Sequence, residues 1–281
     1  MFINAKNKKT VFILSVSSGI GLELAKQYLA AGYFVIGTYR QKKHIEELLE
    51  RDHCVLFHCD ITRQPELSQL VNRIKQLRLH WDIFISCVGM LQPLAKFFQV
   101  DFEKWDQAIH VNAIEQLRVL HAIYPLRRKK GVCHAVFFAG SGTNNVVVNM
   151  SSYITSKIML IKMCEFLNAE NKDLNVFIVG PGWTRTKAHD QVLADKNTPR
   201  EKYLETLNFL KTSKGTEFKK IFDCIQWLCR CGKKAAGGRN FSIVHDQWEG
   251  PLRQCLIKEL LSDPEMYKLR RHKNDFLKRT R

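Results

Sequence analysis

Six short apolar runs, at residues 11–14, 34–38, 55–59, 83–87, 132–139 and 176–179, alternate with longer amphipathic stretches at 21–31, 43–51, 66–79, 102–126 and 151–169. The runs are almost continuously apolar, as strands covered on both faces must be. Strands separated by helices of this length pair in parallel through right-handed crossovers, which places helices on both faces of one sheet. A further strand is expected at 240–244. The expectation is an α/β chain with a doubly wound parallel sheet of about seven strands, Rossmann-type, helices on both faces. There is no internal repeat and no Pro/Gly-rich linker, so a single domain over residues 1–281 is expected. The polar, broken stretch at 183–214 would overhang the carboxyl ends of the strands, where open α/β sheets bind ligands, and reads as a lid; 249–281 reads as a basic tail.

Composition narrows the class. Hydrophobic residues are 45% and charged residues 25% of the chain, which is ordinary for a soluble protein and sufficient for a core without disulfides or metal. The nine cysteines are odd in number, and Cys87, Cys133 and Cys164 lie inside apolar runs, so they read as reduced thiols of a cytoplasmic protein. Cys224, Cys229 and Cys231 have no partner pair at zinc-site spacing, and no metal site is expected. Lys6, Lys8 and Lys9 precede an apolar run too short for a secretory signal, and no run approaches the length of a membrane span. Forty-four basic against 27 acidic residues leave a net charge of +17. The charge is scattered, with local runs at 127–130 and 268–281, and no zinc finger or RNP-like motif accompanies it. It reads as a solvated basic surface, and nucleic acid is not an expected partner.

The first strand runs into Ser15, Val16, Ser17, Ser18, Gly19, Ile20 and Gly21, and then into a helix. Glycines at such a turn let the backbone approach a phosphate, and the helix N-terminus supplies free N–H groups. Dinucleotide folds that prefer NAD place a carboxylate after the second strand, whereas a basic side chain there accommodates the 2′-phosphate of NADP. Here Arg40, Lys42 and Lys43 occupy that place with no Asp or Glu between Val35 and Lys43, so NADP(H) is expected rather than NAD(H). Tyr153 and Lys157 are four residues apart and share one face if the segment is helical. An ammonium about 4 Å from a phenol, at an effective dielectric of about 20, is worth roughly 4 kcal/mol, enough to lower the phenol by two or three pKa units. The spacing thus predicts a tyrosine tuned for proton transfer.

With these motifs in this order, the chain resembles the short-chain dehydrogenase/reductase family over residues 9–244. The resemblance rests on Gly19-Ile20-Gly21, on Asp60-Ile61 after the third strand, on Asn112, on Tyr153 with Lys157, and on the run from Val179 through Pro181, Gly182 and Thr184 to Thr186. It implies hydride transfer between nicotinamide and a carbonyl or alcohol substrate. Tyr153 acts as general acid/base, Lys157 holds the nicotinamide ribose, Asn112 positions a water leading to Lys157, and a serine donates to the carbonyl oxygen. Asp60 and Ile61 would contact the adenine. Ser15, Ser17, Ser18, Gly19, Ile20, Gly21, Arg40, Gly89, Pro181, Gly182, Thr184 and Thr186 complete the implied cofactor site. The family pattern is broken at three places. Ser15 replaces its first glycine, Ser86-Cys87-Val88-Gly89 replaces Asn-Asn-Ala-Gly, and the place of the catalytic serine falls on Gly140. Ser141 is the candidate if the loop adjusts by one residue. Met90, Leu91, Ser141, Thr143 and Trp183 are the candidate pocket residues, and a homodimer or homotetramer is implied. The alternative reading is an NADP(H)-binding sensor or scaffold without turnover, and the three departures favour it.

Overall fold

The computed structural model describes residues 8–212 and 215–272. The remaining residues, which include the end of the expected lid and of the basic tail, lie outside the described residues. Seven parallel strands form one sheet in the order β3-β2-β1-β4-β5-β6-β7. They are β1 Thr10–Leu14, β2 Phe34–Tyr39, β3 Cys54–His58, β4 Ile83–Ser86, β5 Cys133–Phe138, β6 Leu174–Gly180 and β7 Asn240–Ser242. The helices are α1 Gly19–Ala30, α2 Glu46–Leu49, α3 Gln64–Gln76, α4 Phe102–Ile109, α5 Glu115–Ile123, α6 Ser151–Glu170, α7 Ala188–Ala194, α8 Arg200–Thr212, α9 Phe218–Ala236 and α10 Arg253–Ser262.

The expected strands and helices are all present, with one marked shortening. The stretch 43–51 forms only the single turn α2, because Ile45 and Leu48 alone in it are buried and four residues cannot sustain a longer helix. The strand order reverses beside β1, which pairs with β2 through Val11↔Val35 and with β4 through Val11↔Ile83. Alternation along each inner strand feeds two cores. Val11 and Ile13 of β1 pack with Leu24 and Tyr28 of α1 and Ile221 and Leu228 of α9 on one face. Phe12 and Leu14 pack with Leu70 of α3, Ile123 of α5 and Leu160 of α6 on the other. This doubly covered sheet explains why the strand sequences read as unbroken apolar runs. Such burial is worth roughly 25 cal/mol per Å² of apolar surface and dominates the stability of the fold.

Arg239, 3% exposed, ties the C-terminal helix to the sheet by donating to the carbonyls of Leu260 (2.5 Å), Asp263 (3.1 Å) and Met266 (2.6 Å). No described helix is long and apolar enough to cross a membrane. Among the described residues no group of three or more His, Cys, Asp or Glu side chains is placed to hold a metal ion.

Candidate active site

The carboxyl end of β1 turns at Ser15, which takes a left-handed backbone with φ of +71°. Its N–H donates to Thr38 Oγ1 (3.1 Å) and that of Val16 to Thr38 O (2.8 Å), so the turn is anchored to β2. A Cβ on Gly21 would lie 1.9 Å from the Ser15 carbonyl oxygen, so α1 can start this close to the strand only with glycine there. Ser18 occupies the N-cap position without a side-chain cap, leaving first-turn N–H groups for an anion. Ser17, Ser18, Gly19 and Ile20 are partly exposed along this turn.

Past β2, Arg40, Lys42 and Lys43 are exposed. Asp60, after β3, accepts from Thr62 N (3.0 Å) and Thr62 Oγ1 (2.7 Å). Partial burial pushes its carboxyl up, but these hydrogen bonds and the nearby Arg40 charge outweigh it and hold Asp60 below the usual carboxylate range. Ile61 is buried, and Gly89 at the end of β4 is exposed with open space where a Cβ would stand.

Asn112 is fully buried in a π-helical turn, His110–Ile114, between α4 and α5. Its Oδ1 accepts from Met90 N and its Nδ2 donates to Met90 O, both at 2.7 Å, so its carboxamide clamps the loop after β4. Gln116, one turn on and also fully buried, accepts from Ser86 Oγ (2.6 Å) and donates to Asn112 O (2.6 Å) and Val88 O (3.3 Å). Sequence reasoning missed this Gln116–Ser86 pair. A glutamine in an amphipathic stretch carries no signal until the π turn rotates it inward.

Tyr153 and Lys157 share the inner face of α6. The Lys157 ammonium lies 5.7 Å from the centre of the Tyr153 ring, and Lys157 is 2% exposed. Among the described residues no hydrogen bond or carboxylate pairs with it. Burial lowers Lys157 to about 8, with nearby Cys87 acting weakly in the opposite direction. Burial pushes the Tyr153 hydroxyl up to about 12. The lowering expected from the Lys157 charge does not appear: burial alone moves the Tyr153 hydroxyl, and it disfavours the phenolate.

Gly140 stands where the family places its serine. A Cβ there would come within 2.4 Å of the Tyr153 hydroxyl oxygen, so no side chain fits without moving the tyrosine. Ser141 is exposed on the rim, and Thr143 Oγ1 donates to Gly140 O (3.4 Å). The structure thus brings Gly140, not Ser141, against the tyrosine. After β6, Gly182 adopts φ of +72°, Pro181 is partly exposed, and Thr184, 4% exposed, donates to Pro181 O (3.5 Å). The Thr186 methyl faces Gly19, 3.3 Å from where a Cβ would stand. Gly19, Glu23, Arg185, Thr186, Lys187 and Asp190 are among the residues around a cleft of about 350 Å³ between the glycine turn and the segment after β6. Trp183 is not a free pocket wall. It stacks on His189 (5.5 Å, 2°), touches Phe209 (4.9 Å) and lies under the Lys202 ammonium (4.1 Å), which makes it packing within the segment after β6. Leu91, Leu94, Met150 and Val192 form a small apolar cluster of their own, against which Val147, Tyr153 and Ile154 pack.

A crevice outside the carboxyl ends of parallel strands, at the point where strand order reverses, defines a nucleotide-binding α/β fold. The family described as enoyl-(acyl carrier protein) reductase matches residues 15–243. The chain is 24% identical over 231 residues to the 2,3-dihydro-2,3-dihydroxybenzoate dehydrogenase of Bacillus subtilis, covering 78% of this chain and 86% of that one. It is 28% identical over 167 residues to an uncharacterised oxidoreductase of Staphylococcus haemolyticus, covering 58% and 72%. A short-chain dehydrogenase/reductase of Saccharomyces cerevisiae superimposes with a TM-score of 0.78 at 19% identity, covering 85% of this chain and 97% of that one. A short-chain dehydrogenase of Shigella flexneri, solved with NADP, superimposes with a TM-score of 0.70 at 22% identity, covering 85% and 98%. The chain belongs to the short-chain dehydrogenase/reductase family and is an oxidoreductase of that type.

Proposed function

We propose that the protein transfers a hydride between NADP(H) and a carbonyl or alcohol substrate, with Tyr153 as the proton donor and acceptor. The observation that carries this reading is the buried, unpaired Lys157 ammonium beside Tyr153. A buried cation without a partner is costly unless a ligand supplies the missing acceptors, and the hydroxyls of a ribose are such acceptors. The residues fit a dinucleotide elsewhere too. The uncapped start of α1 suits a pyrophosphate, Gly89 leaves room for close approach, and Asp60 and Ile61 suit the adenine side. Exposed Arg40, Lys42 and Lys43 suit a 2′-phosphate, which supports NADP(H) over NAD(H). Pro181, Gly182, Thr184 and Thr186 would face the nicotinamide end.

The cofactor supplies or accepts the hydride. The chain does the rest. Tyr153 holds its proton across neutral pH and gives it to the oxygen of the substrate carbonyl as that oxygen becomes an alkoxide. Lys157 supplies fixed positive charge beneath the site. Asn112 and Gln116 hold the floor by clamping Met90 and Val88. Ser141 would donate to the carbonyl oxygen once its loop closes on substrate, and a second oligomer subunit would pack on the helices bearing Asn112 and Tyr153. A cytoplasmic location fits the free cysteines.

The test is NADPH oxidation against a panel of aldehydes and ketones, with Tyr153→Phe and Ser141→Ala as variants. Turnover by the natural chain that falls at least about 10³-fold in Tyr153→Phe is expected. Ser141→Ala should lower kcat about 10²-fold. NADPH binding without turnover of any carbonyl would favour the second reading, a cofactor-binding sensor, which the side-chain-free position at Gly140 and the exposure of Ser141 support.

A further inference from the structure

We infer that the amino edge of the sheet is a basic face that docks on an anionic lipid surface. It lies opposite the catalytic crevice and does not depend on the reaction proposed there. The positive charge looks scattered along the sequence, but the fold gathers it. β1, β4, β5, β6 and β7 are neighbours in the sheet, and the segments leading into them are 8–9, 78–82, 127–132, 170–173 and 230–239. These segments hold twelve Lys and Arg against three Asp and Glu, a surplus of nine out of the net +17. In a parallel sheet they all fall at one edge, where five strands about 4.8 Å apart span roughly 19 Å.

Packing then sorts the cations. Arg127 pairs with Asp173 (2.5 Å) and Arg128 with Asp82 (2.6 Å). Lys233 donates to Leu174 O (3.0 Å) and Asn168 Oδ1 (2.9 Å), and Arg239 is spent on the carbonyls before the tail. Lys9, Lys129, Lys130, Lys172, Arg230 and Lys234 are exposed, and among the described residues none of them pairs with a carboxylate. Glu170 is the remaining acid of these segments. Hydrogen bonds lace the loops into one surface. Asp82 N donates to Thr10 O (2.9 Å), Arg128 N to Trp81 O (2.8 Å), Arg128 Nη2 to Lys8 O (3.0 Å) and Cys133 N to Asp173 O (3.0 Å). Burial, and after it the Lys9 charge, lowers His134 to about 4, so this ring stays neutral beneath the face. The outward cations are five lysines and one arginine, compact charges without the planar fork that phosphodiester recognition favours. Val132, 47% exposed, is the apolar side chain that the 127–132 loop presents, and no exposed Phe, Tyr or Trp stands on these segments for a base to stack on. Charge without stacking suits a bilayer of anionic headgroups, which attracts clustered Lys and Arg. Docked by this edge, the chain keeps its crevice open to water and to cofactor.

The experiment sediments the full chain with vesicles of phosphatidylcholine alone and of phosphatidylcholine and phosphatidylglycerol in equal parts, at about 0.1 M salt. Binding to the mixed vesicles only, released as salt rises to about 0.5 M, is expected. No binding to the mixed vesicles overturns the proposal. Each cation near an anionic surface raises the partition about fivefold. Lys9→Gln, Lys129→Gln and Lys130→Gln combined should therefore lower it about 10²-fold, while Lys9→Arg, Lys129→Arg and Lys130→Arg combined should keep it. Partition unchanged by the three glutamines, or lost equally with the three arginines, overturns the proposal. NADPH should bind the vesicle-held and the free chain alike, and loss of its binding on vesicles would place the carboxyl edge against the lipid and overturn the proposal. Duplex DNA that strips the chain from the vesicles at equal phosphate would make the face a nucleic-acid surface and overturn it too.

Discussion

Two residues hold unfavourable conformations or charges for the sake of the site. Ser15 keeps φ of +71°, a region that costs an L-residue about 1–2 kcal/mol and glycine almost nothing. Part of that gain is lost to glycine's greater freedom when unfolded. Ser15→Gly is therefore expected to raise the unfolding free energy by about 1 kcal/mol, seen as a higher urea midpoint, and a drop would show that the serine makes a contact worth more than its strain. Lys157 is the larger case. Its amine falls from 10.5 to about 8 on burial, which at about 1.4 kcal/mol per tenfold comes to about 3 kcal/mol against folding at neutral pH. Between pH 8 and 10.5 the unfolded chain holds the proton that the folded chain has lost, so stability gains with rising pH there, and below 8 the penalty is fully present. Lys157→Met should abolish turnover yet raise the unfolding temperature at pH 7, and the difference from the natural chain should shrink as pH rises from 8 to 10.5. A variant less stable at pH 7 would mean that the ammonium has a partner.

Elements place these residues, and the π turn at His110–Ile114 is the decisive one. An extra residue in the turn brings Asn112 and Gln116 inward from consecutive turns, so both carboxamides face the loop after β4. Gln116→Leu keeps the volume but leaves Ser86 Oγ, Val88 O and Asn112 O short of a partner in a dry site. Orphaned buried polar groups cost about 1–3 kcal/mol each. The variant should lose about 2–3 kcal/mol by denaturant unfolding and bind NADPH more weakly, because the Val88 carbonyl beside the Met90 clamp is no longer held. An unchanged midpoint would indicate that the loop is fixed by other contacts. The helical periodicity of 102–126 was plain in the sequence, but the insertion of a π turn was not. It changes no residue type and only shifts which side chains share a face.

At the scale of the whole molecule, the parallel sheet brings the carboxyl ends of β1, β2, β3, β4, β5 and β6, and with them residues scattered from Ser15 to Thr186, to one edge. Any ligand that binds this assembled edge but not the unfolded chain must stabilise the fold by mass action. At a concentration of about 100 times its Kd, NADPH should add about 2.7 kcal/mol. NADH at the same concentration should add less, and Arg40→Ala should narrow that gap while leaving the stability without cofactor near its starting value. Equal shifts by the two cofactors would remove the role given to Arg40. The sheet, its double covering of helices and the motif order were readable in advance, since the apolar runs, the glycine turn and the Tyr153–Lys157 spacing depend on local periodicity and on residue types that few other folds combine. What lay beyond reading were the consequences of neighbours distant in sequence. The left-handed Ser15, the Asn112 clamp on Met90, and the tyrosine hydroxyl set against a bare Gly140 and raised by burial are all of this kind. Periodicity determines which face of an element is buried. Only packing decides what that face meets, how much water is left there, and therefore what each side chain's charge and reach become.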